Sequence, residues 1–194
     1  TLVEDRFDFA IFSPMQEAPD PPYAILLRTK VLHAANETSY GIVFGGNKGS
    51  FCQVEREDAL APHGCFHQYY RLNVVFGGYL KYQVKRIDYH SERGDGEGDT
   101  DWGWGGIDTG EPKGWHGWEI RVYDSGFGVY ADGKYLMWAS DTRYINEPYY
   151  GIFSSNYEYN GARFAHDYFR IVPLTGAAAV PPHSVESAIP IIAR

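Results

Sequence analysis

Alternation of apolar and polar positions with a period of two runs through most of the chain. In "YAILLRTKVLHA" (23–34) one face carries Ile25, Leu27, Thr29 and Val31, and the other Ala24, Leu26, Arg28, Lys30 and Leu32. This pattern predicts a half-buried strand. Further strands are predicted in "RFDFAIF" within the first 12 residues, in "SYGIVFGG" (39–46), in "PYYGIFSSN" (148–156) and in "ARFAHDYFRIVPL" (162–174). "QYYRLNVVF" (68–76) and "YLKYQVKRI" (79–87) predict a hairpin about a two-residue Gly77-Gly78 turn. "WHGWEIRVYDSGFGVYADGKYLMWAS" (115–140) reads as three strands, with turns at Asp124-Ser125-Gly126 and Asp132-Gly133. No amphipathic helix emerges, and about ten strands at roughly 8–12-residue spacing predict an all-β fold, an antiparallel β-sandwich of jelly-roll type.

Composition agrees with this reading. Aromatic residues make up 16% of the 194 positions and glycine occupies 22, a mixture that favours strands and tight turns over helices. The length suits one domain with a sizeable core. The net charge of −8 argues against nucleic acid as a partner, because phosphate backbones require a basic face. No run of about 18 apolar residues predicts a membrane span. The chain opens at Thr1-Leu2-Val3-Glu4 without a signal peptide, as a processed protein would. Composition shifts after Leu174, so residues 1–174 form the predicted domain and 175–194, "TGAAAVPPHSVESAIPIIAR", an Ala- and Pro-rich tail. Its apolar end "SAIPIIAR" suits docking on its own domain or on a neighbouring protein, with Pro190 restricting it to an edge role.

Cys52 and Cys65 bracket the polar segment "QVEREDALAPHG". In a secreted protein this pair reads as one disulfide closing a surface loop, worth about 3 kcal/mol in the chain-entropy account. Two free thiols are the alternative. His63 and His67 flank Cys65, but their spacing matches no recognised zinc pattern with Cys52. Asn36-Glu37-Thr38 is a glycosylation sequon, meaningful only in a secretory pathway.

"SYGIVFGG", "QYYRLNVVFGGYLKYQVKRI", "WEIRVYDSGFGVYADGKYLMWASD", "PYYGIFSS" and "FAHDYFRIV" together resemble the concanavalin A-like lectin/glucanase superfamily, and within it bacterial laminin-G-like sandwich domains. Tyr130, Asp132, Gly133 and Leu136 match its strand–turn–strand element. Tyr150-Gly151-Ile152 match the following strand, and Asp167 to Ile171 the closing one. These are turn glycines and core aromatics, so the resemblance implies fold before activity. Segments 47–67 and 88–114 depart from the pattern as long insertions, where binding chemistry tends to reside.

The second insertion holds "RGDGEGDTDWGWGG" (93–106). Asp95, Glu97, Asp99 and Asp101, with Asp108 further on, are hard oxygen ligands of the kind Ca2+ takes. These alternate carboxylates make the set a candidate metal site; the resemblance implies calcium binding too, but through ligands dispersed over separate loops rather than one contiguous run. The helix-loop-helix spacing fails, with Trp102 or Gly106 standing where glycine or a bidentate acid is required. Unliganded, the four nearby carboxylates repel one another unless Arg93 or Lys113 pairs with them. Arg93-Gly94-Asp95 also spells an adhesion tripeptide, short enough to arise by chance.

Trp102, Trp104, Trp115 and Trp118 fall within 17 residues, near Asp99, Asp101 and Asp108. Rings beside carboxylates suit a sugar, whose apolar face stacks while its hydroxyls hydrogen-bond. Trp102, Trp104, Asp99, Asp101 and Trp115 are the candidate ligand-binding residues, and one of Trp115 and Trp118 is expected in the core. The alternative is that the rings pin the loop onto the sandwich. Glycosidases of this fold place paired carboxylates across a sheet. Here Glu55, Glu57 and Asp58 lie in a predicted loop and Glu119 stands alone on a strand. The expectation is a non-catalytic module, extracellular or in the cell envelope, binding a glycan or surface polymer. A structural subunit docking through 175–194 is the second reading, and a glycoside hydrolase the third.

Overall fold

A computed structural model describes residues 8–14, 16–34, 38–46, 68–77, 79–88, 100–107, 111–156 and 162–182; for 8–11, 88, 100–104, 155 and 156 it describes the backbone alone. Eleven strands are present among these residues: β1 (Asp8–Phe12), β2 (Tyr23–His33), β3 (Thr38–Gly46), β4 (Gln68–Phe76), β5 (Leu80–Asp88), β6 (Thr100–Ile107), β7 (Trp115–Tyr123), β8 (Gly126–Ala131), β9 (Lys134–Ala139), β10 (Tyr149–Asn156) and β11 (Arg163–Pro173). They form two antiparallel sheets, a six-stranded one ordered β1-β10-β3-β4-β5-β6 and a five-stranded one ordered β11-β2-β7-β8-β9. The all-β sandwich expected from the alternation is therefore the fold.

The alternation of β2 works as the pattern requires. Ile25, Leu27, Thr29 and Val31 are all buried, while Arg28, Leu32 and His33 are exposed. The facing sheet contributes Tyr40, Ile42, Phe44, Leu72, Val74 and Val84 to the same core, and β7 and β8 of β2's own sheet add Ile120, Val122, Phe127 and Val129. Aromatic rings join the sheets: Phe127 stands 4.9 Å from Phe44 and 5.0 Å from Tyr70, centroid to centroid. Trp118, not Trp115, is the core tryptophan. It is 1% exposed and its Nε1 donates to the Tyr40 hydroxyl at 3.1 Å.

The β8–β9 turn is tight because Asp132 and Gly133 both adopt positive φ, 49° and 77°, as a two-residue hairpin with a mirror-image turn demands. The β4–β5 connection differs from expectation. Phe76 pairs with Leu80, so three residues, 77–79, make the turn rather than two. A larger correction concerns the second insertion. Residues 100–107 are not loop but strand β6, paired along β5 from Leu80↔Ile107 to Arg86↔Thr100. Glycine there weakened the sequence signal. A Cβ at Gly105 would stand only 3.0 Å from the ring of its cross-strand partner Tyr82, so the bare glycine leaves room for that ring on the face of the sheet.

One end of the sandwich is locked by a polar knot. The Tyr70 hydroxyl donates to Asp141 Oδ1 at 2.5 Å, Arg86 bridges to Asp141 Oδ2, and the amides of Arg143 and Tyr144 bond to Asp141 Oδ1 and the Tyr70 oxygen. Burial opposes ionisation of Asp141, but the hydrogen bonds from Tyr70, Arg143 and Arg86 outweigh it and hold the carboxyl below its usual range. Burial, then the same bond to Asp141, pushes the Tyr70 hydroxyl well above the ordinary tyrosine range. At the far end of β7, the Tyr123 hydroxyl donates to the Ala178 carbonyl at 2.9 Å, so the 3-10 turn Gly176–Ala179 rests on its own sandwich.

Candidate functional site

β3, β4, β5 and β6 run side by side, and the register fixes which residues share a row. Gly41, Asn73, Gln83 and Trp104 form one cross-strand row; Val43, Arg71, Lys85 and Asp101 form the next. Leu72, Val74 and Val84, between these positions, are completely buried in the core. Pleating therefore turns Arg71, Asn73, Gln83 and Lys85 to the outer face of the six-stranded sheet. Sequence reasoning named Trp104 and Asp101 but missed their neighbours. The signal was present, since Arg71 and Asn73 are the polar alternates of "QYYRLNVVF", but it becomes a site only when β6 pairs beside β5.

The face has a built floor. Val43, Tyr69, Ile87, Tyr149 and Phe153 form a second buried cluster outside the main core. Phe153 pairs with Gly41, and its ring lies where a Gly41 side chain would be: a Cβ there would stand 2.8 Å from the ring and 1.9 Å from the Leu72 carbonyl. The Arg71 guanidinium sits 5.5 Å over the Phe153 ring. Asn73 Nδ2 donates to Gln83 Oε1 at a long 3.5 Å, and Asn73 Oδ1 is buried with no hydrogen-bond partner among the described residues. Such an acceptor is costly to leave unmet. Together these groups offer amide donors and acceptors and cations over an aromatic floor, which is chemistry suited to hydroxyl-rich ligands.

The other predicted residues separate. Trp102 lies with Asp101 and Trp104 on β6. Trp115 opens β7 in the five-stranded sheet, 40% exposed, with the Arg28 guanidinium 5.4 Å over its ring. It does not share the β6 face. Asp95, Glu97, Asp99 and Asp108 lie outside the described residues, as do Cys52, Cys65, Glu55, Glu57, Asp58 and the sequon at Asn36. Residues 183–194 of the tail lie outside them too. Among the described residues no cluster of His, Cys, Asp and Glu could hold a metal ion, and no helix is long and apolar enough to cross a membrane. Glu119 points away from the core on β7 and is held at 2.5 Å by Arg121 Nε.

No protein-family model matches the chain, and no curated protein does. Solved structures do resemble it. The carbohydrate-binding module CBM66 from Bacillus subtilis superposes with a TM-score of 0.53 at 10% identity, covering 87% of this chain and 83% of that one. The GH43 protein BlXynB from Bacillus licheniformis (a K247S mutant) gives 0.53 at 14% identity over 79% of this chain, which spans only 28% of the enzyme's length. The catalytic domain of an endo-1,3-β-glucanase (laminarinase) from Thermotoga petrophila RKU-1 gives 0.50 at 12% identity, covering 82% of this chain and 64% of that one. At such identities the likeness is one of fold: this chain is an antiparallel β-sandwich of the architecture shared by carbohydrate-binding modules and glycoside hydrolases, as the concanavalin A-like resemblance implies.

Proposed function

We propose that the protein is a non-catalytic glycan-recognition module of concanavalin A-like, laminin-G-like type, acting outside the cytoplasm, with its site on the outer face of β4, β5 and β6. The cross-strand row Asn73–Gln83–Trp104 carries this reading. It sets two amides beside an indole-bearing position on a rigid sheet, and one amide oxygen is already desolvated and, among the described residues, unmatched. A sugar hydroxyl donating to Asn73 Oδ1 would relieve that cost, and Gln83 and Arg71 would orient neighbouring hydroxyls. Carbohydrate-binding modules on this fold support the reading.

Glycoside hydrolases share the fold, but retaining and inverting chemistry both need two carboxyls facing one bond, about 5–10 Å apart. The described polar side chains of β4 and β5 on this face, Arg71, Asn73, Lys81, Gln83 and Lys85, are amides and cations, and Asp101 is the carboxylate position in the row of Arg71 and Lys85. That favours binding over hydrolysis.

The test is a printed glycan array probed with wild type, Trp104→Ala and Asn73→Ala, followed by product analysis after prolonged incubation with soluble β-1,3-glucan. Binding to at least one glycan class, weakened about tenfold in each variant without cleavage, is expected. Wild-type silence across the array would remove the glycan reading, and release of shortened glucan would replace it with hydrolysis.

A further inference from the structure

The opposite face of the sandwich carries its own arrangement. On β7, Trp115, Gly117, Glu119 and Arg121 alternate outward, because His116, Trp118, Ile120 and Val122 are buried between them. Gly117 is the gap in this line. A Cβ there would meet nothing nearer than Asp132 Oδ1 at 3.8 Å, so the backbone is open between the Trp115 ring and the Glu119 carboxylate. Those two positions are about 13 Å apart along the strand.

Polar groups border the gap from several strands. Across β2, Arg28 pairs with Gly117 and Leu26 with Glu119. Arg28 Nη1 donates to Asp167 Oδ2 at 2.8 Å. Asp167 reaches that place through a bulge: the β11–β2 register shifts between His166↔Thr29 and Tyr168↔Arg28, leaving Asp167 as the extra residue. Bulges re-aim a side chain in this way. On the other side Glu119 holds Arg121, whose guanidinium lies 4.2 Å over the Tyr130 ring, and Tyr130 meets Tyr135 edge-on at 5.5 Å.

We infer that this trough is a second carbohydrate site, separate from the β4–β5–β6 face, taking one neutral sugar unit with its apolar side on the part of the Trp115 ring that the overlying Arg28 guanidinium leaves exposed, and its hydroxyls between the Arg28–Asp167 and Glu119–Arg121 pairs. The occupant follows from the chemistry. Each Arg–carboxylate pair cancels its own charge and still offers donors and acceptors; Asp132 at the gap accepts from the Gly117 amide and pairs with His116, and Lys30 stands across β2 from Trp115, so the lining is mixed in sign and complements a neutral polyol rather than an ion. A phosphate backbone would meet a carboxylate beside every arginine. A stable protein interface needs about 800 Å² per partner with an apolar centre, whereas here the exposed rings, Trp115 and Tyr135, are divided by charges. With both faces competent the chain is bivalent, and its binding to polymeric glycans gains from avidity.

The experiment compares wild type, Trp104→Ala, Trp115→Ala, Gly117→Val and the Trp104→Ala/Trp115→Ala double variant on the printed array, with circular dichroism and Tm recorded for each. A Cβ at Gly117 makes only an ordinary contact, 3.8 Å from Asp132 Oδ1, and Gly117→Val adds two methyl groups to it, so its circular dichroism and Tm decide whether the branched side chain is accommodated. The inference expects Trp115→Ala and Gly117→Val each to fold as wild type and lose about tenfold in apparent affinity, with residual binding in Trp104→Ala abolished in the double variant. Wild-type binding by Trp115→Ala and Gly117→Val overturns the second site, whatever Trp104→Ala does. Complete loss in Trp104→Ala alone overturns it as well. Loss confined to Trp115→Ala and Gly117→Val keeps this site and removes the β4–β5–β6 face.

Discussion

At the scale of single residues, Trp118 joins the two sheets through one hydrogen bond. Its indole fills the core, and its one polar atom is satisfied by Tyr40 of the facing sheet, 3.1 Å away, with the rings edge-to-face at 6.4 Å. Trp118→Phe keeps most of the apolar volume but strands the Tyr40 hydroxyl. It should lower the unfolding free energy by about 1–3 kcal/mol in urea titration. An unchanged midpoint would mean that Tyr40 finds another partner. Asn73 is the opposite case. Its Oδ1 already lacks a partner among the described residues, so Asn73→Ala removes an unmet group and should shift stability by less than about 1 kcal/mol while weakening glycan binding. A residue whose loss harms binding and spares stability is placed for a ligand, and equal losses in both would make Asn73 structural. Neither role is legible at the residue's own position in the chain. Trp118 and Trp115 are three apart in one aromatic run, and only pleating decides that one is core and the other surface.

At the scale of elements, β6 is the piece that the chain's local signals conceal. "DWGWGG" has the composition of a loop, and strand propensity is weak there. Pairing with β5 overrides propensity because Tyr82 packs against Gly105. Gly105→Val should therefore crowd the Tyr82 ring, costing about 1–3 kcal/mol by overpacking and reducing amide protection along 100–107. Wild-type hydrogen exchange in that variant would show that β6 does not depend on the bare glycine. By contrast β2, β7, β8 and β9 were readable directly, since their alternation and the Asp132-Gly133 turn are local properties. The Asp167 bulge was unreadable for the same reason as β6: an extra residue is defined only against a partner strand.

At the scale of the molecule, pH acts through groups that the two sheets enclose. Burial, first among the causes, pushes Tyr23, Tyr40 and Tyr70 above the ordinary tyrosine range. A raised folded pKa means the fold keeps protons that the unfolded chain releases above about pH 10, so their contribution is complete below that pH and declines as pH rises. Asp141 is shifted down, so its contribution is complete above about pH 4 and is lost as pH falls further. Partial burial also lowers the His166 pKa, which takes stability away as pH falls through about 6.5, so the urea midpoint should plateau between about pH 6.5 and pH 10 and fall on both sides. A midpoint at pH 11 equal to that at pH 8 would contradict the alkaline limb. Asp141→Ala should cost about 3 kcal/mol near neutrality by removing the carboxylate that Tyr70, Arg86 and the Arg143 amide all bind, and should flatten the acid limb below about pH 4.

The sequence by itself determined the all-β class, most strand positions, the inward faces and the acidic charge balance, because each follows from neighbours one or two residues apart. Tertiary structure decided which strands are adjacent. That adjacency brings Asn73, Gln83 and position 104 into one row, places Trp115 on the other sheet, and sets Asp167 beside Arg28. Both candidate faces are assembled from residues distant in the chain, and their chemistry exists only once hydrogen-bonded register has aligned them.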